Sequence, residues 1–487
     1  MQSPDNEDAS HTSWTQPEMW LWAIVIVGVA LRVVQWLHGQ SIWHDEAFLL
    51  LNLRQYDLAR LLTGRLDADP STQAGAPAFI ALCKATWEVV GLNERLLRLP
   101  MLLASIATLA WLARSSVKLI GPLAAIVAVL FVVSSDKHVE QAATFKSYSV
   151  DALCSAIVIA MAMRITRDGP ARSIVPTSLV AASLLWLSFT VAFVYAAASL
   201  GALTTLGRDR RRWIAWCVAQ WIFAASFAVL YVVCIRVQHD DYLSRFWTRV
   251  GVFPVNLSPV QWLVWTARTL QDAWTYPWPA WTWGVPVLMV LGAWGCAAKR
   301  RWDWLVLLAM PIVLATIASA VHVYPARDRL TLFVLPATAI LIGIGVDAAW
   351  RLRRSALKVI AIGIASLTAG VACGDALVKA FRPNFTFDLR PAIERVAPGT
   401  TVVAVSSDDA ATIRLYAPQL RVDAFDFRSG QTVPETTDEI TIVTSLNRKP
   451  DGSWEIPFGP PLDRRGYTLD VDRSFFRQGG GVLVYRR

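Results

Sequence analysis

Charge is scarce. Only 17% of the 487 residues are Asp, Glu, Lys or Arg, and 55% are hydrophobic. A soluble globular chain carries about 25% charged residues, so the composition excludes an ordinary water-soluble domain over most of the length. Cysteine is scarce too: Cys83, Cys154, Cys217, Cys234, Cys296 and Cys373 all lie in or beside apolar segments. They form no CxxC pair and no metal-ligand spacing, which excludes a disulfide framework and a zinc module and leaves small apolar packing residues. Residues 1–17 lack the basic start and small-residue cleavage site of a secretory signal, so the first apolar run is expected to be a retained anchor. There is no internal repeat and no low-complexity tract.

Apolar runs are what is abundant. The mean hydropathy is +0.41, and runs of roughly 17–25 residues recur along the chain, as in a polytopic helical membrane protein. Candidate spans cover residues 19–38, 96–113, 119–135, 149–166, 173–189, 190–206, 213–236, 281–298, 303–321, 329–350 and 356–374, about eleven by the length criterion. The 23 tryptophans suit the headgroup belts. The net charge of +9 resides largely in short loops, so it reads as a topology signal and not as a nucleic-acid surface.

Five basic clusters fall at alternate connections: Arg114/Lys118, Arg164/Arg167/Arg172, Arg208 to Arg212, Lys299 to Arg301, and Arg351 to Lys358. The positive-inside rule puts them in the cytoplasm and the other connections outside. Residues 76–91 are apolar but short and carry Lys84 and Glu88; they are expected to be re-entrant or interfacial on the outer face, and 45–62 a second surface-lying helix. The predicted fold is mainly α: a polar tail (1–18), a transmembrane domain (19–374), and a small outer-side α/β domain (375–487). In the last, 401–405, 440–443 and 481–485 read as strands, 409–416 as a helix, and Gly479-Gly480-Gly481 as a turn between strands.

Four polar clusters share the expected outer side: His44-Asp45-Glu46; Asp136 through Tyr148; His239-Asp240-Asp241-Tyr242 with Arg245; and His322 through Arg329. Adjacent carboxylates at a membrane boundary mark functional sites more often than those in soluble loops. Carboxylates can act as bases, while Lys, Arg and Tyr can hold phosphate. This suggests transfer from a lipid phosphate. A cation or Tyr at a helix end is, taken singly, an interfacial anchor. A divalent metal, zinc or manganese, is the other use for His44, His138, His239 and His322. Their spacing matches no tight zinc motif, and no other cofactor is indicated.

The run Leu31-Arg32 through Ala47, Gly91-Leu92-Asn93-Glu94-Arg95-Leu96-Leu97-Arg98-Leu99-Pro100, Glu140-Gln141 with Lys146-Ser147-Tyr148, and Tyr324-Pro325 through Arg329 to Pro336 resemble, in order, the outer-face motifs of C-type (GT-C) glycosyltransferases. The nearest groups are protein O-mannosyltransferases and lipid A aminoarabinose transferases. The resemblance implies a polyprenyl-phosphate sugar donor, a glycan, lipid or protein acceptor, inversion at the anomeric carbon, and an active site on the periplasmic side of a bacterial inner membrane. It makes Asp45 the base, Glu46 the residue that orients it or the acceptor, and Lys146 and Arg329 the donor-phosphate cations, with Tyr148 and Tyr324 adding hydrogen bonds or lining the pocket. Arg32 is a structural candidate. The chain departs from these relatives at Gly75-Ala76-Pro77-Ala78, where many carry His-Pro-Pro or Lys-Pro-Pro. The competing readings are a transporter or flippase of a polyprenyl-linked glycan, which should show internal symmetry, and a non-catalytic scaffold.

Overall fold

The computed structural model describes residues 16–68, 73–168, 171–278, 283–352, 355–382, 387–424, 439–449, 453–455, 467–477 and 479–487. The tail assigned to residues 1–18 falls mostly outside the described residues.

Helix α1 (Gln16–Leu37) leads to Gly39, which turns the chain at φ 56°, a conformation that suits glycine. Four helices follow before the next long one: α2 (His44–Gln55), α3 (Leu58–Thr63), α4 (Pro77–Val90) and α5 (Glu94–Leu97). Then come α6 (Leu99–Ile120), α7 (Pro122–Val133), α8 (Asp136–Gln141), α9 (Tyr148–Asp168), α10 (Ile174–Leu185) and α11 (Val191–Leu203). Helix α12 (Arg210–Leu230) runs through a π-turn at Tyr231–Ile235 into α13 (Arg236–Gln238). A long connection holds α14 (Asp241–Arg249) and α15 (Pro259–Thr275), and α16 (Gly284–Ala298) and α17 (Trp302–Ala320) return the chain. A 3₁₀ stretch, Asp328–Val334, enters α18 (Leu335–Trp350), and α19 (Ser355–Phe381) closes the bundle.

Among the described residues, seven helices have the length and apolarity to cross a membrane, and four more apolar helices are shorter. Together they match the eleven runs one for one, but the expectation that all eleven meet the length criterion is corrected. The short ones are cut by local breakers. Gly121 (φ 91°) and Pro122 open α7, and α10 and α11 separate at Trp186–Thr190, where the long apolar stretch 173–206 is expected to split. A 12-residue helix such as α10 is about 18 Å long. It still carries the chain from the Arg172 end to Ser188, whose hydroxyl bonds Asp151 at the start of α9 at 2.6 Å.

The bundle has two polar ends. At one, Lys118, Lys299, Arg301 and Asp347 line a common cavity, Arg212 reaches the Ile165 carbonyl at 3.5 Å, and Gly201 packs on the Asp303 backbone. The expected basic loops therefore share one end. Central to the bundle, the Asp328–Trp350 segment is buried throughout its apolar window. Helices α16 and α18 touch closely: a Cβ at Gly292 would stand 2.0 Å from the Leu341 carbonyl oxygen. Such small-residue contacts let membrane helices pack where no hydrophobic drive separates them from lipid.

At the other end, α4 is 14 residues, about 21 Å, too short for the ~30 Å hydrocarbon core. The expected surface-lying helix at 45–62 is not found as such. It is two helices, and Phe48, Leu49, Leu50, Leu51 and Leu53 of α2 are buried, with α21 (Ser407–Tyr416) of the C-terminal region packed against α2. The physical reason is that a protein surface, and not the bilayer interface, covers its apolar residues.

Beyond the bundle, α20 (Arg390–Ile393) and α21 (Ser407–Tyr416) accompany a five-stranded sheet. Its strands are β1 (Thr401–Ala404), β2 (Arg421–Ala424), β3 (Glu439–Thr444), β6 (Thr468–Phe475) and β7 (Gly481–Arg486), in the order β2-β1-β3-β7-β6, with β4 (Asn447–Arg448) and β5 (Trp454–Glu455) forming a separate ribbon. The pairs β1/β2 and β1/β3 are parallel, and β3/β7 and β6/β7 antiparallel. The three expected strands, the helix, and the glycine turn (Gly479, φ 92°) all appear.

Candidate functional site

The site is assembled from three connections at the end of the bundle opposite the basic loops. Glu46 organises the first. Its carboxylate accepts from Arg98 Nε at 2.9 Å and Nη2 at 2.6 Å, from the Trp43 amide at 3.0 Å and from the Phe145 amide at 2.5 Å. Arg98 also donates to the Gln40 and Ser41 carbonyls at 2.5 and 3.1 Å. Glu46 and Arg98 are 1% and 4% exposed at the side chain. Every strong acceptor direction of Glu46 is thus occupied, and the residue ties the loop after α1, the start of α6 and the loop before α9 together. Arg98 has no role in the sequence reading, although it stands inside the Leu97-Arg98-Leu99-Pro100 motif; a lone Arg at a helix start gives no sign of its partner.

That tie delivers Asp45 to its neighbours. Asp45 forms an ion pair with Arg329, and Arg329 Nε donates to the Tyr148 hydroxyl at 3.0 Å. The guanidinium also lies over the Trp43 ring, 4.5 Å from its centroid, a favourable cation–π placement. Unlike Glu46, Asp45 and Arg329 keep 17% and 29% side-chain exposure, so a substrate can reach them. Lys146, beside them, donates to Gln73 Oε1 at 2.6 Å.

The electrostatics follow from burial and from this charge set. Burial pushes Asp45 up, but Lys146, Arg329 and His44 overcome it, and its carboxyl titrates below its ordinary value. Burial lowers Lys146, with Asp45 opposing and Arg329 adding to the shift. His44 is lowered by burial against the pull of Asp408 and Asp45. The lowering favours the ionised carboxylate of Asp45, the form that can accept a proton.

Tyr324 does not offer its hydroxyl outward. It donates to the Leu330 carbonyl at 2.6 Å, and the ring packs on Phe193 and Phe333. Tyr324 therefore fixes the 3₁₀ stretch that carries Arg329. Asp328, just before Arg329, holds φ 49°, a left-handed conformation that Asp tolerates better than most residues but that costs roughly 1–2 kcal/mol. Position here is imposed by the surroundings.

The four histidines do not converge. His138 is buried within the bundle, with Arg32 Nη2 at 2.9 Å from Nδ1 and Ser105 Oγ at 3.2 Å from Nε2. Arg32 further donates to Gly28 and Val132 carbonyls, so both residues are structural. His322 meets the Pro254 carbonyl at 2.8 Å and stacks on Phe253, and His239 is exposed. His44 alone adjoins the site, between Asp45 and Asp408 of α21, whose Oδ2 is 3.9 Å from Nε2. No group of three His, Cys, Asp or Glu side chains among the described residues is arranged to hold a metal ion.

The C-terminal region is bonded to this end. The Tyr416 hydroxyl accepts from the Ile42 amide at 2.7 Å and donates to Glu94 at 2.7 Å, and Arg390 pairs with Glu94 at 2.9 Å. Lys379, at the end of α19, pairs with Asp136.

The fold has solved counterparts. ArnT from Cupriavidus metallidurans bound to undecaprenyl phosphate aligns with a TM-score of 0.55 and 14% identity, over 96% of this chain and 98% of that one. The chain has the GT-C fold. The archaeal oligosaccharyltransferase AglB from Archaeoglobus fulgidus, in complex with an inhibitory peptide and a dolichol-phosphate, aligns with a TM-score of 0.53 and 9% identity, over 90% and 75%. No protein-family model and no curated protein matches the sequence. Within this GT-C fold, the first connection bears Asp45 and Glu46, and the late one bears Arg329, so the order of motifs read from the sequence coincides with a single spatial cluster.

Proposed function

We propose that this chain is a membrane glycosyltransferase that moves a sugar from a polyprenyl-phosphate donor to an acceptor hydroxyl on the periplasmic side of a bacterial inner membrane. In the reaction, the acceptor oxygen attacks the anomeric carbon as its proton passes to the Asp45 carboxylate. The bond from that carbon to the phosphate oxygen breaks, and the electron pair leaves with polyprenyl phosphate. In-line displacement gives inversion. Lys146 and Arg329 face the charge that grows on the departing phosphate, where preorganised cations act most strongly. Tyr148 orients the guanidinium, and Glu46 with Arg98 positions Asp45.

One observation carries the reading: a partly exposed carboxylate, Asp45, is held beside two cations from separate connections, at one end of a membrane bundle. A base with no phosphate cations, or cations with no free carboxylate, would support only half of the chemistry. The two neighbours with bound lipid phosphate, ArnT with undecaprenyl phosphate and AglB with dolichol-phosphate, support the donor class. The test is release of polyprenyl phosphate by the purified, reconstituted chain from a panel of hexosyl and pentosyl polyprenyl phosphates. Release in the presence of membrane extract as acceptor source is expected. Translocation of the lipid across vesicles with no release would favour a flippase instead.

A further inference from the structure

The opposite end of the bundle holds a second site that the transfer chemistry does not use. A cavity of about 440 Å³ lies between the ends of α6, α16 and α18 and the starts of α7 and α17. Lys118, Lys299 and Arg301 line it against a single lining carboxylate, Asp347. Asp347 serves two cations, Lys299 at 3.3 Å and Arg351 at 3.0 Å. Arg301 is set by Asp303 at 2.7 Å and by the Trp304 ring, 3.9 Å from its guanidinium. With Arg301 offset by Asp303, the positive excess at the cavity comes from Lys299 and Arg351 sharing one carboxylate, beneath apolar walls from Val117, Ile120 and Ile344.

Position matters as much as charge. Arg329 and Asp347 stand 18 residues apart on one continuous segment, roughly 30 Å with about 2.0 Å per residue over the 3₁₀ stretch and 1.5 Å in α18. That is close to the ~30 Å thickness of a hydrocarbon core, so the cavity sits at the membrane boundary opposite Asp45. Cations at the ends of α6, α16 and α18 do complement the helix dipoles. Dipole complementation alone, however, does not require an open cavity with mixed cationic and apolar walls. Basic pockets between membrane helices at this boundary suit anionic lipid headgroups.

We propose that this cavity binds the phosphate headgroup of an anionic phospholipid, with Lys118, Lys299 and Arg301 as its cationic contacts and the apolar walls against the upper acyl chain. The proposal does not depend on the transfer reaction.

The test is native mass spectrometry of the full chain after delipidation and reconstitution, in phosphatidylcholine alone or with phosphatidylglycerol. Retention of phosphatidylglycerol is expected in the wild type. The double variant Lys118→Gln/Lys299→Gln should bind it about thirtyfold more weakly, from the value of roughly two surface cations. Lys118→Arg/Lys299→Arg should retain it, which separates lost charge from lost folding. A control in another basic loop, Arg208→Gln/Arg211→Gln, should leave retention unchanged. Equal loss in the control, or wild-type retention in the Gln double variant, overturns the proposal. Displacement of the lipid by millimolar inorganic phosphate would identify the ligand as free phosphate and overturn the lipid assignment.

Discussion

Asp45 and Arg329 lie 284 residues apart in sequence and form one ion pair. The pair joins the first connection to the segment that enters α18, and Tyr148 holds it from a third. A free Asp45 on a mobile loop would gain little as a base. Here its approach is set by the Glu46–Arg98 tie on one side and by the Tyr324-anchored 3₁₀ stretch on the other.

Arg329 should act through both charge and shape. Arg329→Ala should weaken donor binding and turnover together while membrane insertion persists. Arg329→Lys keeps the charge but cannot reproduce the contacts to Asp45 and Tyr148 at once, so transfer should stay impaired. Donor titration of purified variants checks this; wild-type affinity and rate in Arg329→Ala would make it an interfacial anchor.

Glu46→Gln should be a stability mutant first. It leaves the buried Arg98 guanidinium without its counter-charge, and breaking one side of a buried pair costs about 3–5 kcal/mol. Thermal unfolding should shift down strongly, with turnover per folded molecule falling less than in Asp45→Asn. An unchanged melting temperature would contradict the tie.

The pH dependence of kcat/KM reports the free enzyme. Asp45 titrates below the ordinary carboxylate value and Lys146 below the ordinary lysine value. Activity should therefore hold on acidification until the pH falls below the usual carboxylate range, where Asp45 protonates. It should decline on the alkaline side before an ordinary lysine would lose its charge. Lys146→Arg should move the alkaline limb upward. An alkaline limb unmoved by that change would exclude Lys146 as its source.

Asp409, in α21, offers a separate check on the C-terminal region. Burial pushes its carboxyl up to about 7, against a hydrogen bond from Thr444 at 3.0 Å. The folded form therefore binds a proton that the unfolded chain releases near ~4. Stability from this group is present below that value and is lost as pH rises towards 7, the sign expected for a raised acid. Asp409→Asn should flatten this dependence and raise the melting temperature at pH 8. Equal or steeper pH dependence in the variant would contradict the assignment.

Much of the bundle is legible because an apolar run of membrane length has few alternatives to a helix. The strands of the tail are legible from alternation, and Thr401–Ala404 and Gly481–Arg486 form where expected. What stays hidden depends on partners far along the chain. Glu46 looks like a second catalytic carboxylate because its sequence neighbour is Asp45; only folding brings Arg98 and the Phe145 amide to it. His138 looks like an outer-face ligand because its loop is polar, yet it accepts a hydrogen bond from Arg32, 106 residues away. Helix α2 looks interfacial because its apolar residues have no local cover, and α21 supplies that cover from the other end of the chain.

The central claim is that Asp45 takes the acceptor proton while the cations hold the donor. The most direct measurement is the rate of polyprenyl phosphate release by Asp45→Asn under donor saturation, alongside donor affinity. The substitution keeps the shape and removes the proton acceptor. A rate lower by roughly two to four orders of magnitude, with donor affinity near wild type, is the expected result. Near-normal release by a correctly folded Asp45→Asn protein would remove Asp45 from the chemistry and with it the proposed mechanism.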